Sequence, residues 1–287
     1  MKNKTVKENR TIKLFLQDIA NTKQFIDLPP EWIDFDFVKF SNKKKLFDYQ
    51  QGALKNALKI LHLYYKNTTN GNSLENKKNL YNFYKNIDTD RIIEKLSLQL
   101  NKDKLSKIFD DFTNDYPVDE NNNKIPFYYF INRMSFWKAT GSGKTLVIVK
   151  LIELLSKLIK NRVIPENDIL FLTYRDDLIE QFKIHVNEFN SSSNSIRVNL
   201  IDLKEFERVK LENRLMFLDE INVFYYRSDL ISDEQKDKII NFRNYDNNGK
   251  WYILLDEAHK GDKEDSKRQM YYSILSRNGF LFNFSAT

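Results

Sequence analysis

The chain has 287 residues, 41% of them apolar and 30% charged, enough apolar material for a sizeable core, which excludes a chain disordered throughout. The absence of cysteine excludes a disulfide framework, a Cys-ligated zinc or iron–sulfur site and a thiol nucleophile, and three histidines are too few for a histidine-rich metal site. Against 40 acidic residues stand 46 basic ones, and the net charge of +6 allows a polyanionic partner without demanding one. No run approaches the roughly 18 apolar residues of a membrane helix. Residues 1–20 start basic but have no long apolar stretch and no small-residue cleavage site, so the expectation is a cytoplasmic protein that does not enter a membrane.

In chain order, residues 46–65 place Ala53, Leu54, Ala57, Leu58, Leu61 and Tyr64 on one helical stripe. Residues 67–72 (NTTNGN) predict a turn or loop, and residues 79–108 return to helical periodicity, interrupted around Asp88 and Asn101. Residues 115–126 are polar and punctuated by proline, which predicts a loop or linker. Residues 1–130 are thus read as a mostly helical N-terminal region and 131–287 as a second unit of different texture.

In that second unit short apolar runs alternate with longer amphipathic ones. Strands are predicted at 134–137, 169–173, 196–201, 215–218, 251–255 and 280–284. Helices are predicted at 144–159, 176–189, 232–242 and 266–277, the first with Leu146, Val147, Val149, Ile152, Leu155 and Ile159 inward. Strands alternating with helices imply an α/β fold with a central parallel sheet flanked by helices. Such sheets place ligands at the carboxyl ends of their strands.

Three motifs carry chemistry. The first is Ala139-Thr140-Gly141-Ser142-Gly143-Lys144-Thr145, between the 134–137 strand and the 144–159 helix. Phosphate binding needs backbone N–H groups that converge on the ligand. Glycine permits that approach, and the following helix adds the positive end of its dipole. In this pattern Lys144 reaches the β- and γ-phosphates and Thr145 holds Mg²⁺. The strict pattern has glycine where this chain has Lys138. The second motif is Asp256-Glu257-Ala258-His259, at the carboxyl end of the most apolar strand. Asp256 is placed to hold Mg²⁺ and Glu257 to polarise an attacking water, the two roles that phosphoryl transfer requires. A rival acid pair, Asp219-Glu220, also follows an apolar run but lacks the Ala-His that comes next. The third motif, Ser285-Ala286-Thr287, gains its value from order and distance. Asp256 lies 112 residues after Lys144, and Ser285 lies 29 after Asp256.

In this order and spacing ATGSGKT, DEAH and SAT resemble the first RecA-like domain of superfamily 2 helicases and translocases, from about Phe136 to Thr287. The resemblance implies a phosphate-loop ATPase that uses ATP and Mg²⁺ and contacts the nucleic-acid backbone. Phe47-Asp48-Tyr49-Gln50 looks like the family's adenine-reading motif, which makes Gln50 an adenine contact. Thr173-Tyr174-Arg175-Asp176 looks like its strand-to-helix motif, which makes Arg175 a backbone contact. The family pattern gives His259, Ser285 and Thr287 the coupling of nucleotide state to nucleic-acid binding. Asn132-Arg133-Met134-Ser135-Phe136-Trp137, Asp256 to Asp262 and Leu281 to Thr287 look like the restriction branch. Within that branch the chain resembles the Res subunits of type III restriction enzymes, which are ATP-driven DNA translocases with a nuclease domain further along the chain. A methyltransferase or specificity subunit is the further partner that this resemblance brings in. A superfamily 2 helicase acting on RNA or on repair DNA stays open as an alternative, as does a nucleotide-binding module without turnover.

Two departures qualify the resemblance. Gln50 and Lys144 stand 94 residues apart, against the few tens usual in the family, so the helices between them read as an insertion. The second RecA-like domain, with its arginine-bearing motif, is not among residues 1–287. The expectation is therefore that these residues on their own hydrolyse ATP slowly, because a missing arginine finger costs about 10³–10⁵ in rate.

Overall fold

The computed structural model describes residues 15–66, 73–87, 94, 97–99, 124–139, 141–193, 196–212, 219–258 and 266–285. The loop expected at 67–72 and the strand expected at 215–218 lie outside them. The chain opens with α1 (Phe15–Thr22), α2 (Pro30–Ile33), α3 (Asp48–Tyr65) and α4 (Ser73–Ile87). Helix α3 buries Leu54, Ala57, Leu58, Leu61 and Tyr64, the stripe read from its periodicity. Two short strands, β1 (Ser97–Gln99) and β2 (Lys124–Pro126), then pair antiparallel. This corrects two expectations: 97–99 is not helical and 124–126 is not loop. Where polar and apolar residues alternate over only three or four positions, helical and strand periods coincide, and a long-range partner decides.

From Arg133 onward strands and helices alternate. The order is β3 (Arg133–Trp137), α5 (Lys144–Lys160), β4 (Asp168–Thr173), α6 (Asp176–Asn190), β5 (Arg197–Asp202), α7 (Phe206–Leu211) and β6 (Glu220–Arg227). There follow β7 (Ile231–Ser232), β8 (Ile240–Asn241), β9 (Trp251–Asp256), α8 (Ser266–Leu275) and β10 (Phe280–Ser285). Six strands form one sheet in the order β3-β10-β9-β4-β6-β5, and every pairing is parallel. This is the α/β architecture with a central parallel sheet that the sequence predicts.

Both faces of the sheet are buried, and alternation along each strand sorts the side chains between them. Ile169, Phe171, Tyr252, Leu254, Phe280 and Phe282 face a core shared with α3, α5 and α6. Leu170, Leu172, Trp251, Ile253, Leu255 and Leu281 face a second core with Phe206 of α7 and Tyr271 and Ile274 of α8. Helix α5 was expected to bury one stripe. Instead it is buried nearly all round from Val147 to Leu158. The N-terminal region covers its outer side, where Lys150 donates to the Lys39 carbonyl at 2.8 Å and pairs with Glu153 at 2.7 Å. A helix enclosed in this way can carry charge inside only where the charge is paired.

The 232–242 helix is not formed, a further correction. Between Ile231 and Ile239 the sequence SDEQKDK has no apolar residue for a helix to bury. Ile231 and Ile240 enter the second core through the parallel pair β7–β8 instead. The intervening turn is tied by Asn241, whose N–H donates to Gln235 Oε1 and whose side chain donates to the Asp233 carbonyl. Strand β6 was not anticipated, although Ile221 and Val223 alternate into the first core and Phe224 and Tyr226 into the second. Among the described residues no helix is long and apolar enough to cross a membrane.

Candidate functional site

Register assembles the site. Phe284 of β10 lies level with Phe136 of β3 and with Asp256 of β9, and Ser285 lies level with Trp137. The chain segments that leave β3, β9 and β10 therefore emerge side by side at the carboxyl edge, which is where the three motifs begin. The Lys138 N–H donates to the Ser285 carbonyl at 3.1 Å, and the Ala258 N–H donates to the Phe284 carbonyl at 2.9 Å. Both bonds extend the sheet past the last paired residues.

The loop between β3 and α5 turns on two glycines in left-handed conformation, Gly141 at φ +79° and Gly143 at φ +72°. Gly143 is required twice over. Its φ disfavours a side chain, and an added Cβ would stand 2.5 Å from Gln50 Nε2. Its carbonyl starts α5 by accepting the N–H groups of Leu146 and Val147. The Ser142 carbonyl accepts the Tyr49 hydroxyl and Gln50 Nε2, both at 2.8 Å. Ser142 Oγ is buried with no hydrogen-bond partner among the described residues, a donor left for a ligand. Lys144 and Thr145 form the first turn of α5. A helix N-terminus, a left-handed glycine loop, an unpaired hydroxyl and a lysine are the donor set that a nucleoside triphosphate needs. Thr140, predicted to belong to this loop, lies outside the described residues.

Across from the loop, β9 is buried at every position and delivers Asp256 at 4% exposure. Glu257 follows with φ +57°, uncommon for a residue with a side chain. The turn is fixed by the Glu257 N–H donating to Asp256 Oδ1 at 3.0 Å. Such a conformation costs of order 1–2 kcal/mol and persists where the surroundings enforce it. Lys144 Nζ pairs with Glu257 Oε1 at 2.6 Å and lies 4.0 Å from Asp256 Oδ1, all three side chains largely buried. The cation and acids that the sequence separates by 112 residues thus meet in one cluster. His259 and Thr287 lie outside the described residues.

The rival acids sit elsewhere. Asp219 and Glu220 stand at the amino end of β6, on the opposite edge of the sheet, and Asp219 pairs with Lys160 at 3.5 Å. Lys160 ends the helix that Lys144 begins, about 24 Å away at 1.5 Å per residue. Arg175 caps α6 at the same sheet edge as Asp256 and carries an exposed ion pair with Asp177 at 2.8 Å.

Gln50 is buried at 1% exposure, with its Oε1 accepting the Phe47 N–H at 2.9 Å and its amide nitrogen on Ser142. Sequence reasoning missed its neighbours. Tyr49 braces the loop, and Lys138 Nζ sits 5.1 Å from the centre of the Tyr49 ring. The Lys138 ammonium is buried with no hydrogen-bond partner among the described residues, and burial pushes its pKa down to about 8. The available signal was Lys138 itself, standing where the strict loop pattern has glycine.

Lys138→Met is expected to stabilise the protein at pH 7 by an amount of order 1–3 kcal/mol. That figure is the desolvation cost at about 1.4 kcal/mol per pKa unit, less the contact with Tyr49. The cost is full below pH 8 and vanishes as the pH rises toward 10.5, where the unfolded lysine is neutral as well. Thermal melts at pH 7 and pH 10 check this. A variant that melts lower at pH 7 would mean that the Tyr49 contact outweighs the desolvation.

Residues 43–287 match the family described as "Type III restriction enzyme, res subunit". No curated protein matches the chain. The match spans most of the chain and includes the loop, the acid pair and the whole parallel sheet. The chain therefore belongs to the family of type III restriction enzyme res subunits and carries its helicase-like, superfamily 2 type ATPase domain with a RecA-like fold.

Proposed function

We propose that this chain is the ATP-hydrolysing motor portion of a DNA translocase or helicase of the type III restriction kind. The observation that supports this best is the meeting of Lys144, Asp256 and Glu257 beside a left-handed glycine loop at the carboxyl edge of the sheet. In this reading Ala139, Thr140, Gly141, Ser142 and Gly143 cradle the phosphates, and Lys144 neutralises charge on the β- and γ-phosphates. Thr145 and Asp256 are the residues that would hold Mg²⁺, which when bound supplies positive charge to the phosphate oxygens. Glu257 orients the attacking water and accepts its proton, and it is released for that task when Lys144 turns to the nucleotide. Ser285, tied to the loop through Lys138, couples the site to β10, and the same coupling role falls to Thr287, two residues after it, and to His259, two residues after Glu257. Residues 131–287 are the motor unit in this reading, and 1–130 an N-terminal region whose described residues are mostly helical and in part cover α5.

Nucleic acid would run along the carboxyl edge, where Arg175 is half-exposed. Contact with three to four phosphates gives a slope of log K against log salt near −3. Arg175→Ala should make that slope shallower by about one unit and weaken all sequences alike. Fluorescence anisotropy on duplex DNA, single-stranded DNA and RNA at several salt concentrations is the test. Affinity that does not vary with salt removes the backbone-tracking role, and binding confined to RNA moves the chain to an RNA helicase.

A further inference from the structure

Thr173 is the last residue of β4, and it is fully buried. Ile169 and Phe171 of that strand face the first core, so alternation turns Thr173 to the same side, the side on which α5 packs. Tyr252 and Leu254 place Asp256 on that side too, where Lys144 of α5 meets it. Leu172 lies level with Leu255. The next residue of each strand, Thr173 and Asp256, therefore stand side by side on neighbouring strands at the carboxyl edge. Such strands are about 4.8 Å apart, which leaves the two side chains within reach of each other or of one shared water.

The Thr173 hydroxyl nevertheless has no hydrogen-bond partner among the described residues. A buried hydroxyl left unpaired costs stability, and in a folded protein it calls for a reason. On its other flank Thr173 lies level with Arg227, whose guanidinium is directed to Asp176 and Asp229. Arginine offers no acceptor for a hydroxyl proton. Of the two lateral neighbours only Asp256 can take it. In the free protein Asp256 Oδ1 accepts the Glu257 N–H at 3.0 Å and has Lys144 Nζ 4.0 Å away.

We propose that Thr173 is a positioning residue for Asp256: in the nucleotide-bound protein its hydroxyl donates, directly or through one water, to the Asp256 carboxylate and orients it for Mg²⁺. Carboxylates that ligate metals are themselves held by hydrogen bonds of this kind. The donor is needed most when Lys144 turns to the phosphates and leaves Asp256. The segment that carries Arg175 outward thus carries a second functional group inward, two residues earlier. The inference rests on the reading of Asp256 as a Mg²⁺ ligand.

Thr173→Val keeps the branched shape and removes the hydroxyl, and Thr173→Ser keeps the hydroxyl. Calorimetric titration of a non-hydrolysable ATP analogue, with Mg²⁺ and with chelator, is combined with thermal melts of the free proteins. Thr173→Val should melt higher than the unaltered chain, because an unpaired hydroxyl is gone. It should lose about tenfold of the affinity that Mg²⁺ adds, the low end for a partner of a metal ligand, and bind unchanged in chelator. Thr173→Ser should keep the Mg²⁺-dependent gain. A Thr173→Val variant that retains the whole gain, one that weakens binding equally with and without Mg²⁺, one that melts lower, or a Thr173→Ser variant that loses as much as Thr173→Val would each overturn the proposal. Asp256→Asn in the same titration separates the two levels. If it loses the gain while Thr173→Val keeps it, only this inference fails. If it keeps the gain, or if the unaltered chain binds no nucleotide, the reading of the site fails and the inference goes with it.

Discussion

Glu257→Gln is expected to abolish hydrolysis while leaving nucleotide binding intact or a few-fold tighter. The side chain keeps its size and the strained φ of +57° is a backbone property, so the turn should survive. What is lost is a carboxylate able to take a proton from water, a contribution of about 10²–10⁴ in rate. The rise in affinity has a separate cause. In this structure Lys144 is engaged by Glu257 at 2.6 Å, so an incoming phosphate competes with an internal ion pair. A neutral amide competes less. Single-turnover hydrolysis with protein in excess, alongside a binding titration, separates the two effects. A variant that hydrolyses at the parent rate would remove Glu257 from the chemistry.

Lys144→Ala should do two things at once. Nucleotide affinity should fall by at least about 1.5–3 kcal/mol, the scale of a hydrogen bond to a charged group. Stability without nucleotide should also fall, because Asp256 and Glu257 lose the cation that both face at 4.0 and 2.6 Å. Removing one partner of a buried pair costs about 3–5 kcal/mol, and partial exposure here puts the expected loss at or below the lower end. Denaturant unfolding and calorimetry on the same samples measure both effects. Unchanged affinity would mean that the 139–145 loop is an ordinary glycine turn, and unchanged stability that the ion pair contributes nothing to the fold.

The parts of this protein legible in the sequence are those in which local pattern and tertiary role coincide. Strand β9 is buried on both faces, so it is apolar at nearly every position and could be read directly. The phosphate loop could be read because left-handed backbone at residues 141 and 143 calls for glycine, which is scarce elsewhere in this chain. Other features depend on partners that no local pattern reveals. The outer face of α5 looks solvated until the N-terminal region closes over Lys150 and Glu153. Strand β6 has the alternation of a strand, but the apolar run at 215–218 just before it drew the assignment and left Asp219-Glu220 at what looked like a strand's carboxyl end. The parallel pairing of β6 with β4 and β5 puts that acid pair at the amino end instead. The 232–242 segment holds several good helix formers, yet propensity without a buried face does not hold a helix in place. The packing of Lys138 against Tyr49 was not legible because the contact spans some 90 residues of intervening chain.

In the proposed Mg²⁺-nucleotide site Asp256, and not Asp219, works with the 139–145 loop. Calorimetric titration of a non-hydrolysable ATP analogue into the unaltered chain, Asp256→Asn and Asp219→Asn, each with Mg²⁺ and with chelator, distinguishes the two acids. The expected result is binding that Mg²⁺ strengthens in the unaltered chain and in Asp219→Asn, with that gain lost in Asp256→Asn. A Mg²⁺-dependent gain that survives in Asp256→Asn, or that disappears in Asp219→Asn, would contradict the account.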